Sequence, residues 1–217
     1  DMDGREYIDM SIMGTGTNTL GYGHPEVDEA VRSVVEQGNM STFNCPEEVY
    51  LAEQLLELHP WADMVRFARS GGEANAIAVR IARAASGKDK VAICGYHGWH
   101  DWYQAANYLV DPGSGEFPFA GIEPTGVPKV LEGTAIPFVY GDLAMLENLF
   151  EENKGEVGTV MMEPLRSDIP EEGYLEGVKE LAHANGAVLI FDEVSCGWRT
   201  RIGGIQEFVG VTPDMSV

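Results

Sequence analysis

From Pro60 onward the sequence alternates between short apolar runs and longer runs whose apolar residues recur at helical spacing. The short runs predict strands at 64–67, 90–94, 135–139, 157–162 and 187–191, and the longer runs predict helices at 73–85, 143–152 and 174–185. Continuous apolar strands separated by helices are typical of parallel sheets that are covered on both faces. We therefore predict an α/β fold with a mostly parallel sheet covered by helices.

Residues 1–60 lack this alternation. They begin with a Gly-rich stretch that holds a short extended piece at 7–10, and two helical patterns follow, one from Pro25 and one after Cys45-Pro46. We predict an N-terminal segment with helices over 1–60 and a larger α/β domain over 61–217. The chain has no leading Met and ends on the apolar Val217, so we expect it to be part of a longer protein.

The charge balance excludes several kinds of partner. Asp and Glu number 35 against 14 Lys and Arg, a formal net charge of -21, which repels nucleic-acid backbones and anionic membranes. No apolar run reaches the length of a membrane span. The three cysteines have neither metal-ligand nor redox spacing, which predicts no disulfide scaffold, no cysteine-based metal site and a cytoplasmic protein.

Three places carry candidate chemistry, and the first is Ser70-Gly71-Gly72-Glu73. It is predicted to follow a strand and to open a helix, where backbone N–H groups and the Ser70 hydroxyl can bind a phosphate. The alternative is a tight turn in which Ser70 only caps the helix.

The second is the aromatic and imidazole cluster that begins Tyr96-His97-Gly98, directly after a predicted strand. Such rings at a strand end suit stacking on a flat ligand ring, but an interior aromatic cluster fits equally. His97 and His100 as metal ligands would need a third ligand, and none is evident.

The third is Asp192-Glu193, directly after the apolar run that ends at Phe191. A carboxylate at the end of a buried strand needs a charged or hydrogen-bonding partner, and a protonated pyridine nitrogen is one such partner. Glu163-Pro164 ends the preceding predicted strand in the same way. Two acids at two strand ends could instead hold a metal ion.

Taken in order, these motifs resemble the class III aminotransferases, which depend on pyridoxal 5'-phosphate (PLP), and within them the glutamate-1-semialdehyde aminomutase branch. The resemblance covers essentially the whole chain. It is carried by residues 3–9 (DGREYID), 20–25 (LGYGHP), 70–74 (SGGEA), 96–98 (YHG), 162–164 (MEP), 190–194 (IFDEV) and 197–199 (GWR).

The resemblance implies the fold type I of PLP-dependent transferases, with 61–217 as part of the large PLP-binding domain. It also implies a homodimer and a small-molecule amino donor or amino aldehyde as substrate. Asp192 would pair with the pyridine nitrogen of PLP. Val194 would pack on one face of its ring, if the strand continues that far, and Tyr96 or His97 would cover the other face.

The resemblance also assigns the remaining site residues. Ser70, Gly71 and Gly72 would bind the phosphate of PLP. Glu163, the second catalytic candidate beside Asp192, would lie near the hydroxyl edge of PLP or the substrate channel. The Gly- and Pro-rich stretch 111–133, which is otherwise a passive insertion, matches in position a mobile gating loop.

Two departures from the family stand out. Gly72 occupies a position that the family usually fills with Thr or Ser. The Schiff-base lysine of the family would fall roughly three residues beyond Val217, and the rest of the large domain and the C-terminal small domain are also absent. We expect amino-group transfer by the intact protein; the alternatives are a non-catalytic PLP-fold binding module and a metal-dependent hydrolase built on Glu163, Asp192 and His97.

Overall fold

The computed structural model describes residues 1–10, 18–38, 42–109, 122–166 and 169–217. Contacts along the chain separate two compact units, Asp1–Gln54 and Leu55–Val217. The assignment of 61–217 to a cofactor-binding domain stays a prediction. Every helix of the described residues falls short of the length and apolar character that a bilayer crossing requires.

The N-terminal unit is helical where it is regular. Helix α1 (Pro25–Gln37) begins with its proline in the first turn, where the missing N–H group is not needed, and ends at Gly38. Helix α2 (Pro46–Leu58) begins in the same way. The predicted extended piece at 7–10 forms no strand with any described residue.

The second unit is built on a five-stranded, wholly parallel sheet in the order β2-β1-β3-β4-β5, which confirms the predicted parallel sheet. Four of the five predicted strands are present within a few residues of their expected bounds. The strands are β1 (Lys90–Cys94), β2 (Ala135–Pro137), β3 (Val157–Met162), β4 (Val188–Phe191) and β5 (Met215–Ser216).

Helices cover both faces of this sheet. Alternate strand residues divide between two cores, since Val91 and Ile93 pack with α3 while Ala92 and Cys94 pack with α5 and α6. The helices of this unit are α3 (Gly71–Ser86), α4 (Asp101–Gln104), α5 (Leu143–Glu152), α6 (Tyr174–Ala184) and α7 (Ile205–Val209), with 3₁₀ turns at Ala105–Tyr108 and Lys129–Leu131.

The predicted strand at 64–67 is wrong. The segment pairs with no other strand in the described part of the chain, and Met64 is 88% exposed. A strand exists only when a neighbour supplies hydrogen bonds, and an apolar run does not reveal whether that neighbour is present. Ser70 therefore follows an unpaired segment rather than a strand.

The chain order reverses direction within the sheet. From β1 the chain moves to β2 at one edge, and from β2 it crosses back through α5 to β3 on the other side of β1. In open α/β sheets such a reversal opens a crevice at the carboxyl ends of the two strands concerned, and ligands bind there. The residues that follow β1 and β3 are Gly95 and Glu163, and Asp192 follows the neighbouring β4.

Candidate active site

Asp192 lies at the carboxyl edge of the sheet, one residue past β4. Its backbone N–H donates to the carbonyl oxygen of Met162 at 2.8 Å, so the sheet pairing extends to this residue. The side chain is buried, with 3% of its surface exposed. A carboxylate in this position is stable only when donors surround it.

Three donors surround the Asp192 carboxylate. Oδ2 accepts from Asn75 Nδ2 at 2.7 Å and lies 2.7 Å from His97 Nδ1, while Oδ1 accepts from the Val194 backbone N–H at 3.1 Å. Because a carboxylate only accepts, His97 carries its proton on Nδ1. A carboxylate has four lone-pair positions that can accept a hydrogen bond. Three of them are used here, so one acceptor position remains, on Oδ1. The carboxylate can thus accept one more N–H donor, which fits a protonated pyridine nitrogen.

His97 is placed differently from one of its predicted roles. Its ring is fully buried, and it meets the Tyr103 ring edge-on at a centroid distance of 5.6 Å. A ring in this position hydrogen-bonds to Asp192 and cannot also stack on a ligand ring. Of the two candidates for covering a cofactor ring, Tyr96 is the partly exposed one.

The loop that carries Tyr96 is fixed from two sides. The Tyr96 backbone N–H donates to Glu163 Oε2 at 3.3 Å, and the Tyr103 hydroxyl donates to the Gly95 carbonyl at 2.8 Å. The Tyr96 ring also meets the Tyr103 ring edge-on at 5.7 Å. Burial raises the pKa of the Tyr96 hydroxyl.

Glu163 directly follows β3, and its side chain is 14% exposed. Its Oε2 lies 3.2 Å from Arg166 Nε. Burial raises the pKa of the Glu163 carboxyl, and the positive charge of Arg166 opposes that shift. Gly95, at φ +119°, has no room for a Cβ because Glu163 Oε2 occupies the place. Glu163 therefore contacts the loop rather than projecting freely into the crevice.

Ser70 is interpreted from the sequence either as part of a phosphate site or as a helix cap, and both roles concern the start of α3. The Ser70 hydroxyl accepts from the Glu73 backbone N–H at 3.3 Å, so Ser70 is the N-cap of this helix. The helix begins at Gly71, two residues before the predicted start. The N–H groups of Gly71 and Gly72 lie in the first turn, where no carbonyl of the helix can receive them. They can donate to an anion, and the cap does not prevent this.

Val194 reaches the site by a turn and not by strand alternation. β4 ends at Phe191, and the Asp192 side chain accepts from the Val194 N–H across a tight turn. A Cβ on Gly71 would lie 3.0 Å from Val194 Cγ2, which places the valine against the start of α3. The expectation of a continuing strand is wrong, although Val194 still lies beside the predicted phosphate-binding residues.

Sequence reasoning missed one residue of this arrangement, Asn75. Asn75 lies on the buried face of α3, which it shares with Ala78, Val79 and Ala82. A polar residue at helical spacing from buried alanines was the available signal. Glu193 is also buried, and its Oε2 accepts from the Ile205 N–H at 2.7 Å.

The metal interpretation gains no support from the described residues, among which no group of three or more His, Cys, Asp or Glu side chains is placed to hold a metal ion. Residues 110–121 lie outside the described part of the chain, and with them residues 111–121 of the predicted gating loop. Its described remainder contains Val127, whose carbonyl accepts from the Tyr108 hydroxyl at 2.7 Å.

The chain matches one protein family along its whole length. The class-III aminotransferase model matches residues 1–217, and the chain belongs to that family. It is 39% identical, over 225 aligned residues, to the glutamate-1-semialdehyde 2,1-aminomutase of Geotalea daltonii, and the match covers 100% of this chain and 51% of that protein.

Solved structures agree with this assignment. An omega-transaminase from Sphaerobacter thermophilus superposes with a TM-score of 0.83 at 30% identity, over 94% of this chain and 48% of that one. A glutamate-1-semialdehyde aminomutase from Pseudomonas aeruginosa PAO1 gives a TM-score of 0.78 at 27% identity, over 99% and 46%; a variant of it has been solved in complex with PMP. The predicted transferase fold is confirmed, and the chain spans about half the length of the relatives it matches.

Proposed function

We propose that the protein containing this chain uses PLP to move amino groups, as an aminotransferase or as an aminomutase of the glutamate-1-semialdehyde type. The observation that carries the proposal is the buried Asp192 carboxylate, which retains one free acceptor position at the carboxyl edge of the sheet. Held by Asn75 and His97, it is oriented to accept from a pyridine nitrogen and to favour the protonated form of that nitrogen.

The neighbouring residues fit the other parts of the same ligand. The N–H groups of Gly71 and Gly72 would receive the phosphate at the positive end of α3. Val194, packed against Gly71, would contact one face of the ring, and Tyr96 would cover the opposite face. When bound, PLP supplies an electron sink for bonds to the amino-bearing carbon of the substrate.

We assign Glu163 a supporting part in this chemistry. Its carboxylate accepts from the Tyr96 N–H and pairs with Arg166, so it holds the loop from which the Tyr96 ring projects. It would act on the reaction through the position of that ring. This refines the expectation that Glu163 lies near the hydroxyl edge of PLP.

The lysine that the family attaches to PLP is expected beyond Val217. Strand β5 leads towards that position: Val217 N–H donates to Phe191 O at 2.9 Å, and Glu193 N–H donates to Val217 O at 2.8 Å. Val217 therefore lies beside Asp192 at the carboxyl edge of the sheet. A lysine a few residues further on would begin beside the ring site.

Family membership supports proposals for the substrate and the assembly. We propose a small-molecule amino donor or amino aldehyde as substrate, a homodimer, and a cytoplasmic location. The net charge of -21 supports neither nucleic acid nor an anionic membrane as a partner.

The test compares the full-length protein with its Asp192→Asn variant. We expect the wild type to bind PLP and to transfer amino groups from an amino donor to a keto acid, or to isomerise an amino aldehyde. The variant should bind pyridoxamine 5'-phosphate (PMP) about 10- to 100-fold more weakly, since hydrogen bonds to charged groups contribute about 1.5–3 kcal/mol. Binding without turnover would support the non-catalytic binding module, and absence of PLP and PMP binding would refute the proposal.

A further inference from the structure

The phosphate site proposed above lacks a hydroxyl group that the family usually provides. Gly72 stands where Thr or Ser is usual, and the Ser70 hydroxyl already accepts from the Glu73 N–H as the helix cap. The remaining donors at the start of α3 are backbone N–H groups. A phosphate dianion binds more tightly when a side-chain donor is added to such groups.

The His100 ring stands beside the place where that hydroxyl would be. A Cβ on Gly72 would lie 3.4 Å from His100 Cδ2 and 3.7 Å from His100 Nε2. A hydroxyl oxygen is one covalent bond from its Cβ. A Thr hydroxyl turned towards the ring would therefore come within hydrogen-bond distance of Nε2.

Close backbone packing fixes this arrangement. Gly98 adopts φ +102°, and a Cβ on it would lie 2.6 Å from Gly72 Cα. Gly98 therefore cannot carry a side chain unless one of the two loops moves. The segment Gly98–His100 is therefore held against the first turn of α3, and the His100 ring is held with it.

The His100 ring is also available to a ligand. His100 is the N-cap of α4, but its side chain makes no cap hydrogen bond. Within the described ranges the ring nitrogens have no hydrogen-bond partner, and the residue is exposed. An imidazole N–H in this state can donate to an anion whether the ring is neutral or protonated.

We infer that His100 is a phosphate-binding residue of the PLP site, with its Nε2–H group donating to the phosphate in place of the hydroxyl missing at Gly72. The inference rests on the proposed function. It assigns to this chain a phosphate donor supplied by the loop after β1, in addition to the N–H groups of α3.

The test uses two probes that need no lysine, PMP and its dephosphorylated counterpart pyridoxamine. Equilibrium dialysis of the full-length protein gives the affinity for each. We expect His100→Ala to weaken PMP binding about tenfold and to leave pyridoxamine binding unchanged, because only the phosphate contact is lost. His100→Gln, which keeps an N–H donor, should retain part of the difference.

A second change restores the missing donor by another route. With the ring removed, Gly72→Thr has space for its side chain, so the Gly72→Thr/His100→Ala double variant should recover PMP affinity. His183→Ala, at the amino edge of the sheet beside Asp214, is the matched control and should bind both probes as the wild type does.

The outcomes separate the two proposals. If the wild type prefers PMP to pyridoxamine and His100→Ala keeps that preference in full, the inference about His100 is overturned while the PLP site stands. If the wild type binds neither probe, the proposed function fails, and the role of His100 fails with it.

Discussion

The His97 Nδ1 atom lies 2.7 Å from Asp192 Oδ2, and both side chains are buried. The two residues are far apart in the sequence, one after β1 and the other after β4. Parallel strands bring them to one edge of the sheet, and Asn75 from α3 completes the group. A carboxylate held in this way keeps its orientation before any ligand arrives.

Replacement of His97 tests how much its contact with Asp192 contributes to the free energy of unfolding. We expect His97→Phe to lower the free energy of unfolding by about 1–3 kcal/mol, because it leaves a buried carboxylate oxygen with one donor fewer. His97→Gln, which supplies an amide N–H, should recover part of the loss. Urea denaturation measures both, with exposed His183→Ala as a control that should change little, within ~0.5 kcal/mol. Equal stability of His97→Phe and the control would contradict the support role.

The raised pKa of the Glu193 carboxyl predicts that the stability of the fold depends on pH. Burial raises the pKa of its carboxyl above the ordinary 4.5, opposed by hydrogen bonds from the Ile205 and Gln206 backbones and the Ser216 side chain. The folded protein therefore keeps this proton at pH values where the unfolded chain has lost it. The free energy of unfolding should fall as the pH rises from about 4.5 through the folded pKa.

Glu193→Gln removes this titration. We expect the stability of the variant, relative to the wild type, to increase between pH 4.5 and pH 8, as measured by urea midpoints at each pH. Glu147→Gln, an exposed change on α5, should leave the pH profile unaltered. A profile for Glu193→Gln that runs parallel to the wild type would show that Glu193 ionises normally.

Glu163 can be assigned to support or to proton transfer by two substitutions. Glu163→Gln keeps an oxygen that can accept from the Tyr96 N–H, whereas Glu163→Ala does not. If Glu163 only positions the loop, the Gln variant should keep kcat within about threefold and the Ala variant should lose PMP affinity by about tenfold. Loss of kcat in the Gln variant at unchanged PMP affinity would instead make Glu163 a catalytic residue.

The contact between Gly98 and Gly72 predicts a steric cost. Gly98→Ala introduces a Cβ that would lie 2.6 Å from Gly72 Cα, and it does so at φ +102°. Gly155→Ala is the matched control, since it has φ +78° and no atom within 4 Å of its Cβ. Both should destabilise the fold through backbone strain of about 1–2 kcal/mol, and thermal unfolding should show a clearly larger loss for Gly98→Ala. Equal losses would mean that the two loops can separate freely.

Much of the sheet could be predicted because its strands are buried on both faces. Runs such as Val157–Met162 and Val188–Phe191 are almost wholly apolar, and an acid follows each of them. Periodicity also located α5 and α6 to within a residue. These features depend on the local sequence, so a single sequence is enough to predict them.

Features that depend on distant partners could not be predicted. The buried face of α3 contains Asn75, which donates to Asp192, whereas the apolar Ile81 of the same helix is 48% exposed, so apolar periodicity alone does not identify this face. The segment at 64–67 has strand-like composition but no neighbouring strand among the described residues. His97 and Tyr96 are adjacent in sequence, and only the structure shows which of them is buried.

The Gly72–Gly98 contact has a consequence for the evolution of this family. Between the start of α3 and the loop after β1, the His100 ring lies in van der Waals contact with the place of a Cβ on Gly72. A lineage that gains Thr or Ser at the position of Gly72 would have to pack that side chain against the ring or carry a smaller residue at the position of His100. The two positions should therefore covary across the family, with their side-chain volumes inversely related.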